Sequence, residues 1–207
     1  MAIVINGSGT ITGVSAGGLP TGSVTADTLA TNSVDSAELV NGAVDDSHLA
    51  SAAIAYTKML RTDVPAFSVA TTSDKSNQTG NNTVYTIAYD EELVDQGGNF
   101  SSTTFTAPVT GTYLLILQVK MAGITGALDT FNIRITTSNY PLYSDMTMAN
   151  GWSTPSTRTL VSIVDMDASD TATSGVQANG EGSDVCDIKG GATASGILTQ
   201  FSGMLIT

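Results

Sequence analysis

Residues 22–51 read GSVTADTLATNSVDSAELVNGAVDDSHLAS, one ten-residue phrase written three times, and no other stretch limits the folding of this chain so tightly. Alignment of the copies stacks Val24, Val34, Val44 and Ile54 in one apolar column and Leu29, Leu39, Leu49 and Met59 in a second, so a fourth and weaker copy runs to Arg61. The two columns lie five residues apart. That spacing puts them on opposite faces of a strand and well over a third of a turn apart on a helix, so neither element fits a whole copy. Thr25, Asp35 and Asp45 follow the valines and are N-cap types, and Asp35 with Glu38 approximates a capping box. Each copy is therefore expected to hold a short extended piece, a cap and a single helical turn ending on the leucine. The fourth, with Ala55 at the cap position, is expected to be the least regular.

One such unit cannot stand alone. Two buried aliphatic side chains contribute roughly 3–6 kcal/mol, whereas ordering ten residues costs on the order of 10–20 kcal/mol. Repeats that bury their apolar side only against copies of themselves form one-dimensional arrays. This array is too short and too polar for a solenoid with its own core, so the expectation is several identical chains wound around one axis, a shaft whose core is the eight column residues. A flexible Ser/Thr/Ala-rich linker is the competing reading, and eight aliphatic positions kept in register speak against it.

Residues 1–21 precede the repeats. "AIVINGSGTITG" offers a strand followed by glycines, as a dinucleotide site would, but Gly7, Gly9 and Gly13 give G-x-G-x-x-x-G and no helix follows to point its N-terminus at a pyrophosphate. Two readings stand for this segment: an arm that docks on another protein by strand addition, with Gly17, Gly18 and Pro20 as its hinge, or a frayed terminus. It also lacks the basic start and long apolar core of a signal peptide.

A net charge of -12 and a pI near 4.1 argue against phosphate-mediated nucleic-acid binding and against an anionic membrane surface as partner. No hydrophobic run reaches membrane-spanning length, so membrane insertion is not expected. A charged fraction of 13% with 21 glycines is typical of extracellular or virion β-proteins. The single cysteine, Cys186, rules out an internal disulfide framework.

Pro65 marks the change from repeats to a domain, 65–207, long enough to bury a sizeable core. From there "AFSVATT", "TVYTIAYD", "TTFTAPVTGTYLLILQVKMA", "TFNIRITTS", "RTLVSIVDMD", "SGVQANG" and "ILTQFSGMLIT" all read as strands separated by Gly, Asn, Asp and Ser. Seven or more short strands predict a sandwich or jelly roll. The stretch Tyr113–Val119, "YLLILQV", is apolar almost throughout, so both faces are expected to be buried; in a trimer one would meet its own sheet and the other the threefold axis. Pro108 can end a strand where no ladder donor is needed, and Gly111 is expected in a turn, where positive φ would favour it.

Phe100, Phe105, Pro108, Gly111 and Tyr113 form an aromatic followed by F-x-A-P-x-x-G-x-Y and an apolar strand, a pattern that resembles the globular head of complement's first component, a family of the tumour necrosis factor-like jelly rolls. Phe105, Pro108, Gly111 and Tyr113 are the core of that motif. "PAFSVA" at 65–70 is similar to the family's first strand, "YTIAYDEELVDQGGNF" to its second strand and loop, and "SGILTQFSGMLI" to its closing strand. The resemblance implies a compact trimer of ten-stranded jelly rolls carried on a trimeric stalk, usually collagen. No Gly-X-Y repeat is present; the decapeptide array instead resembles the shaft repeats of tail fibres of tailed bacteriophages. The expected fold class is thus all-β, a trimeric jelly-roll sandwich preceded by a fibrous shaft with short strands and single helical turns. The expected organisation is an attachment arm at 1–21, a shaft at 22–64 and a head at 65–207.

Residues for catalysis are sparse, and no enzyme is expected. The one histidine, His48, sits where its sibling copies have Thr28 and Glu38, a surface position rather than a base. No Ser/His/Asp or Cys/His set can be built without another histidine. A glycosidase needs only two carboxylates, but 6% aromatic residues leave few rings for sugar subsites. Cys186, flanked by Asp184 and Asp187, reads as a partly buried structural thiol. "DMDASD" at 165–170 has alternating carboxylates of a kind calcium accepts, but without the twelve-residue loop it reads as a solvated β-turn, so no cofactor is expected. N-x-S/T sequons at Asn6, Asn77, Asn81 and Asn99 are of the number so Ser/Thr-rich a chain produces by chance. For receptor binding, "SNYPLYSDMTMANGWSTPS" concentrates Tyr140, Tyr143 and Trp152 in a predicted loop, suited to a sugar or protein surface; packing of these rings in the core or a trimer interface is the alternative.

The functional expectation is a homotrimeric virion fibre or spike of a tailed bacteriophage. Its arm would join other virion proteins and its head would touch a host surface glycan or protein. A secreted cell-surface adhesin or ligand is the second reading, and a glycan-degrading spike the third.

Overall fold

A computed structural model of the chain describes residues 64–147, 155–191 and 196–207, with residues 21, 22, 24, 25, 27, 29–31, 33, 34, 39–44, 48 and 49 of the repeats. Two compact units divide it, Met1–Met59 and Leu60–Thr207. Residues 1–20 of the expected attachment arm 1–21, the column residues Ile54 and Met59, the expected capping residues Asp35, Glu38 and Asp45, and Trp152 all lie outside the described residues.

In the repeats, Asp27 and His48 lie in tight 3₁₀ turns. Ser33 donates from its N–H to the Ala30 carbonyl at 3.1 Å, and one period later Ala43 donates to Val40 at 2.9 Å. A β-turn thus follows the leucine of each of these two copies. No described residue before Ala66 lies in a strand. The later turn is physically reasonable: Asn41-Gly42 is a turn-forming pair, and Gly42 takes a φ of 83°.

The second unit is a sandwich of antiparallel strands. They are β1 (Ala66–Ala70), β2 (Lys75–Thr79), β3 (Val84–Thr86), β4 (Glu91–Gln96), β5 (Phe100–Ser101), β6 (Thr104–Thr106), β7 (Gly111–Ala122), β8 (Thr130–Thr137), β9 (Pro141–Thr147), β10 (Ser156–Met166), β11 (Thr171–Asn179), β12 (Cys186–Ile188) and β13 (Gln200–Leu205). One sheet runs β2-β12-β7-β13-β1-β4 with β10 on β7; the other runs β5-β6-β11-β8-β9 with β3 on β11. β10 pairs with β7 from Gly111 to Met121, so β12 and β13 share the opposite edge of β7 end to end. First and last strands of the unit, β1 and β13, lie side by side, which is the closure of a jelly roll.

Alternation explains the packing. On β8, Phe131, Ile133 and Ile135 point inward and are buried, while Asn132 and Arg134 point outward. On β7, Tyr113, Leu115, Leu117 and Val119 are fully buried, each contributing about 1.5–3 kcal/mol of burial. An aromatic cluster plugs one end: Phe67 stacks on Phe105 with centroids 4.5 Å apart and meets Phe201 edge-on at 5.0 Å.

Several expectations need correction. β2 and β4 form from polar stretches not read as strands, and β5, β9 and β12 from stretches too short or too mixed to show; pairing with a neighbour satisfies the backbone of each. The stretch 103–122 forms two strands, β6 and β7, and Pro108 lies exposed in the bend between them, just past the end of β6. Gly111 is not in a turn with positive φ; it opens β7. What demands glycine there is space, since a Cβ would stand 2.6 Å from both Leu205 Cδ1 and the Thr207 carbonyl oxygen.

Candidate functional site

The outward face of the first sheet is apolar where a soluble sheet would be polar. Register places Ile163, Leu114, Met204 and Ala66 in one cross-strand row, and Val161, Ile116, Ser202, Ser68 and Val94 in the next. Ile163 is 63% exposed and Val161 57%, on an edge strand that has no reason of its own to carry β-branched aliphatics outward. Between Val94, Leu114, Ile116 and Met204 lies a shallow apolar depression of about 220 Å³. The polar rim consists of Gln96, beside Ala66, and of Gln118 and Gln200, one row beyond Ile116. Charge stands at the margins of this face, at Glu92 two residues from Val94 on β4, at Asp165 two residues from Ile163 on β10, and at Lys120 beyond Gln118 on β7. An apolar centre inside a polar rim is the anatomy of a protein–protein interface.

The repeats show the same condition separately. Val24, Leu29, Val34, Leu39, Val44 and Leu49 are between 39% and 54% exposed in the single chain. The described members of both apolar columns are therefore left about half-exposed by their own chain.

The sequence-predicted aromatics part company. Thr137 donates its N–H to the Tyr140 carbonyl at 3.1 Å, which places Tyr140 in the tight turn joining β8 to β9. Tyr143, expected in a loop, stands instead on β9, half-exposed on the outer face of the second sheet, with the Arg134 guanidinium 5.1 Å from its ring centroid. β9 was missed because "PLYSDMT" alternates Leu142, Ser144 and Met146 inward with Tyr143 and Asp145 outward, too mixed a pattern to show against its Ser/Asn-rich surroundings.

Two other expectations can be placed. Cys186 is fully buried, not partly, and burial first, then Glu181, Asp187 and Asp184, push its thiol up to about 12. Asp170 donates its N–H to the Asp167 carbonyl at 2.9 Å, making 167–170 a β-turn, and its carboxylate accepts from Asn139 Nδ2 at 2.9 Å and the Asp167 N–H at 2.9 Å. Among the described residues no group of three acidic, cysteine or histidine side chains could hold a metal ion. His48 is exposed.

The strand order and closure described above are those of a jelly roll. No family model and no curated protein matches the chain. Among solved structures it is similar to the globular domain of zebrafish complement 1qA protein, at 16% identity over 69% of this chain and 98% of that one, with a TM-score of 0.46. It is also similar to murine APRIL, at 12% identity over 70% of this chain and 100% of that one, with a TM-score of 0.47.

Proposed function

We propose that the chain is a subunit of a homotrimeric fibre or spike on the particle of a tailed bacteriophage, with a head that recognises and adheres to the host surface. The observation that carries this reading is that both units of one chain leave regular apolar columns uncovered: the valine and leucine columns of the repeats, and the Ile163/Val161 face of the head. Identical partners supply cover for both at once, because each added copy brings the same surfaces around one axis. The head face then turns to that axis, the repeats wind as a shaft, and residues 1–21 join the fibre to other virion proteins. The polar sheet carrying Tyr143 is left facing outward.

Light scattering of the full-length protein tests the assembly. The expected mass is three times the 21.1 kDa of one chain, and a monomer at micromolar concentration overturns it. Electron microscopy of intact phage particles with an antibody against the head tests the location. Label on projecting fibres is expected, whereas label confined to the bacterial envelope favours the cell-surface adhesin.

A further inference from the structure

The outer face of the second sheet carries a shallow basin of about 290 Å³, lined by Val84, Asn132, Arg134, Tyr143, Asp145 and Gln177. Register sets these residues in two adjacent rows: Val84, Gln177, Asn132 and Asp145 in one, and Gly175, Arg134 and Tyr143 in the next. Gly175 stands opposite Arg134 in the second row. A Cβ there would meet the Tyr85 carbonyl oxygen at 2.8 Å and Arg134 Cγ at 3.4 Å, so its absence lets the arginine lie flat across the sheet.

The polar groups are held in place before any ligand arrives. Gln177 Nε2 donates to the Asn82 carbonyl at 2.9 Å and to Asn82 Oδ1 at 2.8 Å, which fixes the amide so that Oε1 faces Arg134. That oxygen accepts from Arg134 Nη2 and, at 3.2 Å, from Asn132 Nδ2. Asn132 Oδ1 accepts from Arg134 Nη2 at 3.0 Å and Nε at 3.3 Å. The guanidinium is thus anchored by two neutral amides and one aromatic ring, and Nη1 is left without an acceptor among the described residues. Lys75 and Lys189, by contrast, are each paired with an aspartate, Asp90 and Asp74, while Arg134 has no carboxylate within ion-pair distance among the described residues. Asp145 and the Tyr143 hydroxyl also make no hydrogen bond there.

We propose that this basin binds one neutral hexose unit of a surface polysaccharide. An arginine donor and an aspartate acceptor on neighbouring rows suit vicinal hydroxyls, one accepting from Nη1 and the other donating to Asp145, and the exposed part of the Tyr143 ring takes the C–H face of the sugar. The volume lies just below the range of about 300–1,000 Å³ usual for ligand pockets, which fits a single ring rather than a peptide segment. Asp145 inside the basin and a chain charge of -12 disfavour a carboxylated sugar. The preorganised network lowers the ordering cost of binding. This deepens the recognition part of the reading above and rests on it only for the source of the sugar.

Saturation-transfer NMR on the full-length protein with the methyl glycosides of glucose, galactose and mannose, and with glucuronate, tests the basin without reference to particles or oligomeric state. Transfer to at least one neutral glycoside is expected. Tyr143→Ala and Arg134→Lys should each weaken it by at least about fivefold, while Thr106→Ala, on the same sheet face outside the basin, should leave it unchanged. An unchanged melting temperature in each variant shows that the sheet is intact. Stronger transfer to glucuronate than to every neutral sugar, no transfer to any of them, or binding that survives both basin substitutions each overturns the proposal.

Discussion

The hydroxyl of Tyr113 donates a 2.7 Å hydrogen bond to the carbonyl oxygen of Val109, four residues upstream, across the bend that separates β6 from β7. The ring is fully buried and packs edge-on against Phe105 at 5.6 Å. One side chain therefore ties the bend to the core, since Val109 is held from beneath by a residue that cannot leave its pocket. Tyr113→Phe keeps the ring and leaves that carbonyl unpaired. The expected loss is about 1 kcal/mol, or roughly 3 °C in melting temperature, read by calorimetry; a variant that melts with the parent would mean the bond contributes nothing.

At Gly111, steric room rather than backbone angle is decisive. Gly111→Ala should already cost on the order of 1–3 kcal/mol through overpacking against Leu205 and the Thr207 carbonyl, and Gly111→Val more. Chemical denaturation of both variants measures this. An alanine variant as stable as the parent would show that the C-terminal strand yields freely.

Asp90 gathers the Thr72 N–H at 2.6 Å, the Thr72 hydroxyl at 3.0 Å and Lys75 Nζ at 2.8 Å. Burial pushes its carboxyl upward, but Lys75 and the Thr72 donors outweigh that and hold it at about 2, from an ordinary 3.8. A carboxyl depressed in the folded state stabilises above its unfolded pKa, and that contribution disappears as pH falls through the folded one. The melting-temperature gap between the parent and Asp90→Asn should therefore be constant above about pH 5 and close between pH 4 and 2. A gap that stays constant down to pH 2 would remove Asp90 from the acid response.

Ile163→Asp places a charge on the uncovered face without touching the core of its own sheet. The expected outcome is dissociation of the head from its partners with its fold retained, seen as a drop in mass by light scattering and an unchanged far-ultraviolet circular dichroism spectrum. Retention of the oligomer would place the interface elsewhere.

Deleting residues 32–41 removes one period and leaves the valine and leucine columns in register, whereas deleting five residues puts leucine where valine was. Limited proteolysis should find the ten-residue deletion as resistant as the parent and the five-residue deletion cleaved within the repeats. Equal cleavage of the two would make the repeats a linker.

Several features could be read from residues alone. Strict alternation made β8 and β10 visible, and the near-continuous apolar run made β7 the centre of its sheet, because burial on one or both faces leaves a direct mark on side-chain choice. The repeat period and its uncovered columns were equally plain. β2, β4 and β9 were not, since KSNQT, EELVDQ and PLYSDMT carry little apolar signal and are strands only because a partner edge waits for their backbone donors and acceptors. The site divides the same way. Tyr143 stood out as an exposed-type aromatic, but Arg134, Asn132, Gln177 and Asp145 come from three strands, distant in sequence, whose polar outward residues look like ordinary solvent-facing positions. Only cross-strand register brings Gln177 within hydrogen-bond reach of Asn132 and Arg134 and sets Asp145 beside Asn132. Local pattern thus determined which residues turn inward, because burial acts on each side chain separately; which outward residues meet depended on strand pairing, and pairing depends on the whole chain.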